Sequence, residues 1–326
     1  VILERYNTRG EWLEARKRGL GGTDVAGILG ASKWATPWSV WASKRGLALP
    51  EKRNEAMDLG SGLEAWVAME WERRNETYLR RMDNVIARHD DHPWAFVSPD
   101  GFEHDGSGQL GAIDPRMLYE GKVTAGYGED WGPTGSTCGE GNVPEAYQVQ
   151  LAWGLAVTGL PRGVLVVLYR GTSIREYTMD RDPELSDRLL EFAGEWWQKH
   201  VVGGEPPPVE SSQACTQALT VAAGAPVGVR PMDDELAAAA RRYDELRDES
   251  KRIDARVKQA ANELRALMGD AEESTGGGVK VTWKDGSPPE RVDLEQLEQE
   301  YPEAYEACRY IGQAARTLRV TVKREK

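Results

Sequence analysis

Trp94-Ala95-Phe96-Val97-Ser98-Pro99-Asp100-Gly101 and, further on, Leu118-Tyr119-Glu120-Gly121-Lys122-Val123 are the two segments from which the fold can be read. The first is a short apolar run that ends in a carboxylate. The second sets a carboxylate and a lysine two residues apart, and side chains at that spacing share one face of a strand. Carboxylates on neighbouring strand ends supply the hard oxygen ligands that a divalent cation prefers. With an ammonium group beside them they suit metal-assisted phosphodiester hydrolysis, in which an ion polarises the phosphate and an amine orients water or stabilises developing charge. Taken alone, the same residues also describe a hairpin turn at Asp100-Gly101 and a surface ion pair.

Working toward the N-terminus, Gly60 to Glu72 has helical spacing, with Leu63, Val67 and Trp71 on one face. Glu64 falls near the first turn of that helix, as a dipole-favoured carboxylate in solvent or as one aimed into a site. Thr36-Pro37 starts another helix, whose buried side draws on Trp38, Val40, Trp41 and Leu47. Trp12 to Arg18 reads as a short amphipathic helix. Gly19 to Asp24 ends it and opens a helix from Val25 to Leu29, with Thr23 or Asp24 as its cap. That helix start, beside Arg16 and Arg18, would also attract a phosphate.

Between Asp100 and Glu120 lie a glycine-rich stretch, Gly106 to Gly111, which reads as a hairpin loop, and Ala112 to Met117, in which Asp114 is a rival acidic ligand. Beyond Lys122, Gly126 to Asn142 is glycine-rich and polar, a surface loop able to act as a lid. Pro144 to Leu155 is helical, and Gln150 lies on a face with Tyr147 and Gly154, where it could hold water or a phosphate oxygen. Gly163 to Tyr169 is a buried strand with Ile174 to Met179 as its partner, and Pro183 to Val202 is an amphipathic helix. The order of these elements describes an α/β core with a mixed sheet.

The 326 residues can bury a sizeable core and read as one large domain with an appendage, or as two domains. A net charge of −12 excludes a surface coated in basic groups, so any nucleic acid must sit in a localised groove. Cys138, Cys215 and Cys308 lie far apart with no CxxC spacing, which gives neither a zinc site nor a disulfide framework and is consistent with a reducing cytoplasm. No run of about 18 apolar residues marks a membrane span, and no signal-peptide pattern is present. Twelve tryptophans against three phenylalanines put indoles in the core, with some available to stack on bases.

The ordered set resembles the lambda-exonuclease-like (YqaJ-type) viral recombinase nucleases of the PD-(D/E)xK superfamily, over roughly residues 10 to 210. The motifs are Trp12-x-x-x-Arg16, Gly22-Thr23-Asp24, Gly62-x-Glu64, Ser98-Pro99-Asp100-Gly101, Glu120-x-Lys122, and Pro144-x-x-Tyr147-Gln148-Val149-Gln150 followed by Val157-Thr158-Gly159. The resemblance implies a restriction-endonuclease-like core, a central mixed β-sheet flanked by helices. It implies Asp100 and Glu120 as magnesium ligands, with manganese able to substitute. Lys122 would be the family's lysine, Glu64 its helix glutamate, acting directly or through water, and Gln150 the second glutamine of its Gln-Val-Gln motif. Arg16 and Thr23 stand at the family's spacing for holding a 5′-terminal phosphate, with threonine in place of the commoner serine. Two departures stand out. Ala112 to Met117 is an insertion or an extended hairpin, which keeps Asp114 as a reserve ligand. Gly121 replaces the usual apolar residue of Glu-x-Lys and would loosen its strand.

The implied activity is magnesium-dependent 5′-to-3′ degradation of one strand at a double-stranded DNA end, leaving a 3′ overhang for recombination by annealing. The implied partners are DNA ends, a single-strand annealing protein and copies of the chain in a ring, in a phage or prophage setting inside a bacterial cytoplasm, with no membrane. An endonuclease of the same superfamily and a catalytically inactive DNA-binding scaffold are the alternatives. In this reading the nuclease domain spans 1–210, a linker 211–232, and an appendage 233–326. The appendage combines a heptad-patterned helix from Asp233 to Met268 with strands at Val279–Trp283 and Thr317–Lys323, which could pair across a helix around Leu294 to Tyr305. The basic end, Lys323 to Lys326, would be a solvated tail or a DNA contact.

Overall fold

The computed structural model describes residues 1–48, 55–104, 116–126, 131–139, 141–224, 228–286, 292–309 and 320. Asp114, the hairpin loop expected at 106–111, the strand expected at 317–323 and the basic end lie outside them. The chain divides into two compact units, Val1–Ala225 and Pro226–Lys326.

The first unit opens with β1 (Ile2–Arg5), α1 (Arg9–Arg16), α2 (Gly22–Ile28), α3 (Pro37–Lys44) and α4 (Glu55–Asn75). Strands β2 (Tyr78–Arg81), β3 (Val85–Arg88), β4 (Phe96–Val97), β5 (Gly101–His104), β6 (Met117–Thr124) and β7 (Ser136–Thr137) follow. The unit closes with α5 (Glu145–Thr158), β8 (Arg162–Tyr169), β9 (Ser173–Asp180), α6 (Pro183–Trp196), a π-helical continuation over Trp197–Val202, and α7 (Gln213–Ala223).

Six strands form the central sheet in the order β2-β5-β6-β8-β9-β7. It is mixed: β6 runs parallel to β8 and β7 parallel to β9, while the other pairings are antiparallel. Parallel neighbours need a crossover, and α5 supplies it between β6 and β8. Helices cover both faces, which is why Gly163 to Leu168 reads as a continuous buried run. Leu165 and Val167 pack with Leu151 and Leu155 of α5, whereas Val164 and Val166 pack with Val67 and Trp71 of α4. The same alternation puts Leu118 with the α5 side and Tyr119 with the α4 side of β6. A smaller antiparallel sheet, β1-β3-β4, lies beside α1.

Several expectations are corrected. No hairpin turn forms at Asp100-Gly101, because β4 and β5 belong to different sheets and Asp100 is the residue at which the chain enters the central one. The presumed loop after Gly126 contains β7 at the sheet edge. Gly121 does not interrupt its strand: β6 stays paired with β8 from Leu118 to Thr124. Residues 213–223, expected as linker, are helical, and Cys215 and Ala218 are buried in the core against α3. The first unit accordingly extends to Ala225.

In the second unit, α8 (Asp234–Met268) realises the heptad helix, but Leu246, Ile253, Val257 and Leu264 of its apolar seam are exposed. Strands β10 (Glu273–Gly276) and β11 (Val279–Thr282) pair with each other around Gly277-Gly278. Among the described residues, Val279–Thr282 pairs with the segment before it. The helix expected around Leu294 to Tyr305 is split into α9 (Leu294–Glu300) and α10 (Pro302–Cys308), since a proline inside a helix removes a donor and clashes with the preceding turn.

Candidate active site

Strand pairing brings the acidic groups together. Gly101 of β5 lies opposite Tyr119 of β6, so Asp100, one residue before β5, reaches the next rung. Its Oδ2 accepts a hydrogen bond from the Gly121 amide at 2.9 Å. Lys122 Nζ lies 2.7 Å from Glu120 Oε1 and 3.9 Å from Asp100 Oδ2. One ammonium thus faces two carboxylates from adjacent strands. Glu120 is buried, at 6% exposure, while Asp100 is half-buried.

The glycine of Glu120-Gly121-Lys122 has a steric reason. A Cβ there would stand 3.2 Å from the Tyr119 hydroxyl and 3.3 Å from its ring. Tyr119 is buried against Trp71 of α4, with ring centroids 5.3 Å apart. Its phenol is pushed up, first by burial and then by the Asp100 charge.

Glu64 does not sit near a helix start. Helix α4 begins at Glu55, so the first-turn dipole argument does not apply to Glu64. It is half-buried and, with Asp100, Ser98, Trp12, Arg9 and Tyr119, lines a cavity of about 340 Å³. Its charge reaches the carboxylate pair. Burial pushes the Glu120 carboxyl up to about 7; Lys122 opposes this, and Asp100 and Glu64 add to it. Lys122 is driven the other way: burial lowers its pKa, but Glu120 and Asp100 outweigh that and hold it above the ordinary lysine value.

Glu120 and Asp100 therefore share the Lys122 ammonium, and the Glu64 charge acts on both Glu120 and Lys122. The oxygen donors of this cluster fit a divalent cation of the magnesium type. Among the described residues no three acidic, histidine or cysteine side chains stand close enough to enclose an ion as they are. Lys122 already lies between Asp100 and Glu120, so ligation would require the amine or the acids to shift.

Arg16 and Thr23 also meet. Arg16, the last residue of α1, donates to Thr23 Oγ1 at 3.4 Å and to Ser98 Oγ at 3.3 Å. Its guanidinium lies over the Trp12 ring, 4.6 Å from the centroid. Ser98 and Trp12 line the acidic cavity, which links the arginine to Asp100. Neither Thr23 nor Asp24 is the N-cap of α2. The helix starts earlier, at Gly22, and Asp24 reaches back to accept from the Gly21 amide at 2.8 Å. This leaves the Thr23 hydroxyl available to Arg16.

Gln150 is half-buried on α5 and packs on the start of α2, where a Cβ on Gly22 would fall 2.9 Å from its Cγ. It lines a second cavity with Thr23, of about 770 Å³, and not the one lined by Glu64 and Asp100. Arg18 is exposed, and its charge acts on Glu4. Ser98 and Lys44 were missed as contributors. Ser98 was visible inside the Ser-Pro-Asp-Gly motif. Lys44 was betrayed by its place three residues beyond Trp41, on the buried side of α3.

Comparison with known proteins agrees with the motif reading. Residues 11–161 match the YqaJ-like viral recombinase domain. The chain is 29% identical over 307 residues to the uncharacterized protein YqaJ of Bacillus subtilis (strain 168), covering 92% of this chain and 90% of that one. Among solved structures, it is similar to the alkaline exonuclease LHK-Exo of Laribacter hongkongensis, with 15% identity, a TM-score of 0.43, and coverage of 60% of this chain and 93% of that one. It is also similar to a phage-related exonuclease from Haemophilus somnus 129PT, with 11% identity, a TM-score of 0.39, and coverage of 57% and 96%.

Proposed function

The chain carries a YqaJ-like viral recombinase domain over residues 11–161, and from that premise we propose that it is a divalent-metal-dependent exonuclease acting on double-stranded DNA ends. It degrades one strand from its 5′ end and leaves a 3′ overhang for recombination by annealing. The observation that carries this reading is the convergence of the buried Glu120 and the half-buried Asp100 on Lys122, at 2.7 and 3.9 Å. An ion pair kept only for stability gains little from burial, and here a second carboxylate, that of Asp100, faces the same ammonium.

Asp100 and Glu120 would hold the ion, with Glu64 contributing directly or through water. When bound, such an ion polarises the phosphate and makes water nucleophilic at neutral pH. Lys122 orients the attacking water and offsets charge that develops on the phosphate. Gln150 contributes to positioning from the α2 side. Arg16 and Thr23 hold the 5′-terminal phosphate, the guanidinium as a planar donor and the threonine as a hydroxyl donor. Glu120 is the second principal ligand and Asp114 is not required. Magnesium is the expected ion, with manganese able to substitute. The expected assembly is a ring of copies, with a single-strand annealing protein as partner.

The test is digestion of linear duplex DNA, labelled at either the 5′ or the 3′ end, beside covalently closed circular duplex, with magnesium and with EDTA. Early release of 5′ label from linear DNA, with circles intact, is expected. Cutting of circles would make it an endonuclease, and failure to cut either substrate would leave the DNA-binding scaffold.

A further inference from the structure

Lys44 is a buried lysine that the proposed chemistry does not use. It ends α3, its side chain is 3% exposed, and burial lowers its pKa while Asp24 opposes that. Nζ donates two hydrogen bonds, 2.7 Å to Asp24 Oδ2 and 3.0 Å to the backbone oxygen of Arg16, and lies 5.7 Å from the centroid of the Phe96 ring. The same Asp24 oxygen accepts from the Gly21 amide at 2.8 Å. The residues on either side of this ammonium are those of the phosphate clasp. Arg16 closes α1, and Thr23 lies in the first turn of α2, next to Asp24. Arg16 and Thr23 themselves are joined by a single long contact of 3.4 Å between side chains. Lys44 ties their backbones together directly, from the Arg16 carbonyl to Asp24, while Arg88 holds the Ala15 carbonyl at 3.2 Å and Leu20 is anchored to Trp94 and Phe96.

We propose that Lys44 is a positioning residue for recognition of a terminal phosphate: its ammonium pins the end of α1 to the start of α2 and so sets the Arg16–Thr23 gap. This rests on the reading of Arg16 and Thr23 as a phosphate clasp. A buried lysine with one carboxylate is costly to keep as packing alone, since an apolar side chain of the same length would fill the space without desolvating a charge. Its contact to the Arg16 carbonyl is also favourable in a way specific to that place, because a cation at a helix C-terminus meets unpaired carbonyls. Removing it leaves Arg16 stacked on Trp12 and Ala15 held by Arg88 but cuts the direct tie from the Arg16 carbonyl to α2, and two-point recognition of a phosphate is sensitive to small shifts.

The experiment measures binding of duplex ends carrying a 5′-phosphate or a 5′-hydroxyl, by fluorescence anisotropy in EDTA, so that cleavage plays no part. Wild type is expected to prefer the phosphorylated end. Lys44→Met, which keeps the length and loses the charge, is expected to reduce that preference about tenfold, a change of about 1.4 kcal/mol, while binding the hydroxyl end as wild type does. Asp24→Asn, which keeps the lysine and weakens its anchor, is the second variant, used if Lys44→Met melts early, and is expected to lose preference in the same direction. A general structural defect would weaken both ends equally, and that result, or an unchanged preference in both variants, overturns the inference. Absence of any preference in wild type overturns the clasp itself, whereas failure of the nuclease reading shows separately, in digestion.

Discussion

Replacing Glu120 by glutamine should remove a loss of stability that the metal-free protein suffers as pH rises, while abolishing activity, because burial disfavours the carboxylate. Raising its pKa from 4.5 to about 7 makes the ionised form about 3 kcal/mol less favourable in the folded protein, at about 1.4 kcal/mol per tenfold change. The sign follows from proton counting. Between these two values the folded protein retains a proton that the unfolded chain has released, so stability falls as pH rises through the window and levels off above it. Glutamine has nothing to titrate. The stability of Glu120→Gln relative to wild type should therefore improve by about 2 kcal/mol between pH 5.5 and pH 8. The assay is urea unfolding in EDTA, followed by tryptophan fluorescence, which reports mainly on the first unit because Trp283 is the only tryptophan after Ala225. Magnesium should stabilise wild type and leave the glutamine variant unchanged. A gap between the two proteins that does not change with pH would refute the claim that burial holds the Glu120 carboxyl above its ordinary range.

Gly121→Val should cost about 1–3 kcal/mol through overpacking against Tyr119, read as a lowered melting temperature, since even a Cβ stands 3.2 Å from the hydroxyl. Arg16→Ala should weaken binding to a 5′-phosphorylated end about tenfold or more, whereas Arg18→Ala, altering an exposed side chain whose charge acts on Glu4, should change it by no more than about twofold; anisotropy compares them directly. Asp114→Asn should leave the nuclease rate within about twofold of wild type, because Glu120 provides the second carboxylate beside Lys122, and a large loss of rate would transfer that role to Asp114.

Much of this site was legible because its parts are local in sequence. The two-residue spacing of Glu120 and Lys122 puts them on one face of a strand whatever surrounds them, and the apolar run from Gly163 to Leu168 reads as a strand covered on both sides. What the chain hid is set by contacts between distant segments. Nothing near Gly121 announces that a glycine there makes room for Tyr119, nor that its amide serves Asp100. The cap of α2 was misplaced because Asp24 acts backward onto Gly21, a reach that looks the same in sequence as a cap at Asp24 itself. Residues 213–223 have the small, weakly patterned side chains of a linker, and only the buried Cys215 and Ala218, packed against α3, show why they fold. The start of α4 was set too late, at Gly60, whereas the helix runs from Glu55 through both Gly60 and Gly62.

The central claim is that Asp100, Glu120 and Lys122 form one metal-dependent phosphodiesterase site. The most direct test is the single-turnover rate of nucleotide release from 5′-phosphorylated linear duplex in magnesium, for wild type, Asp100→Asn and Lys122→Met proteins of matched folded fraction. Each variant should be slower by at least about 100-fold, with no release by wild type in EDTA. Variants that release nucleotides as fast as wild type would contradict the account.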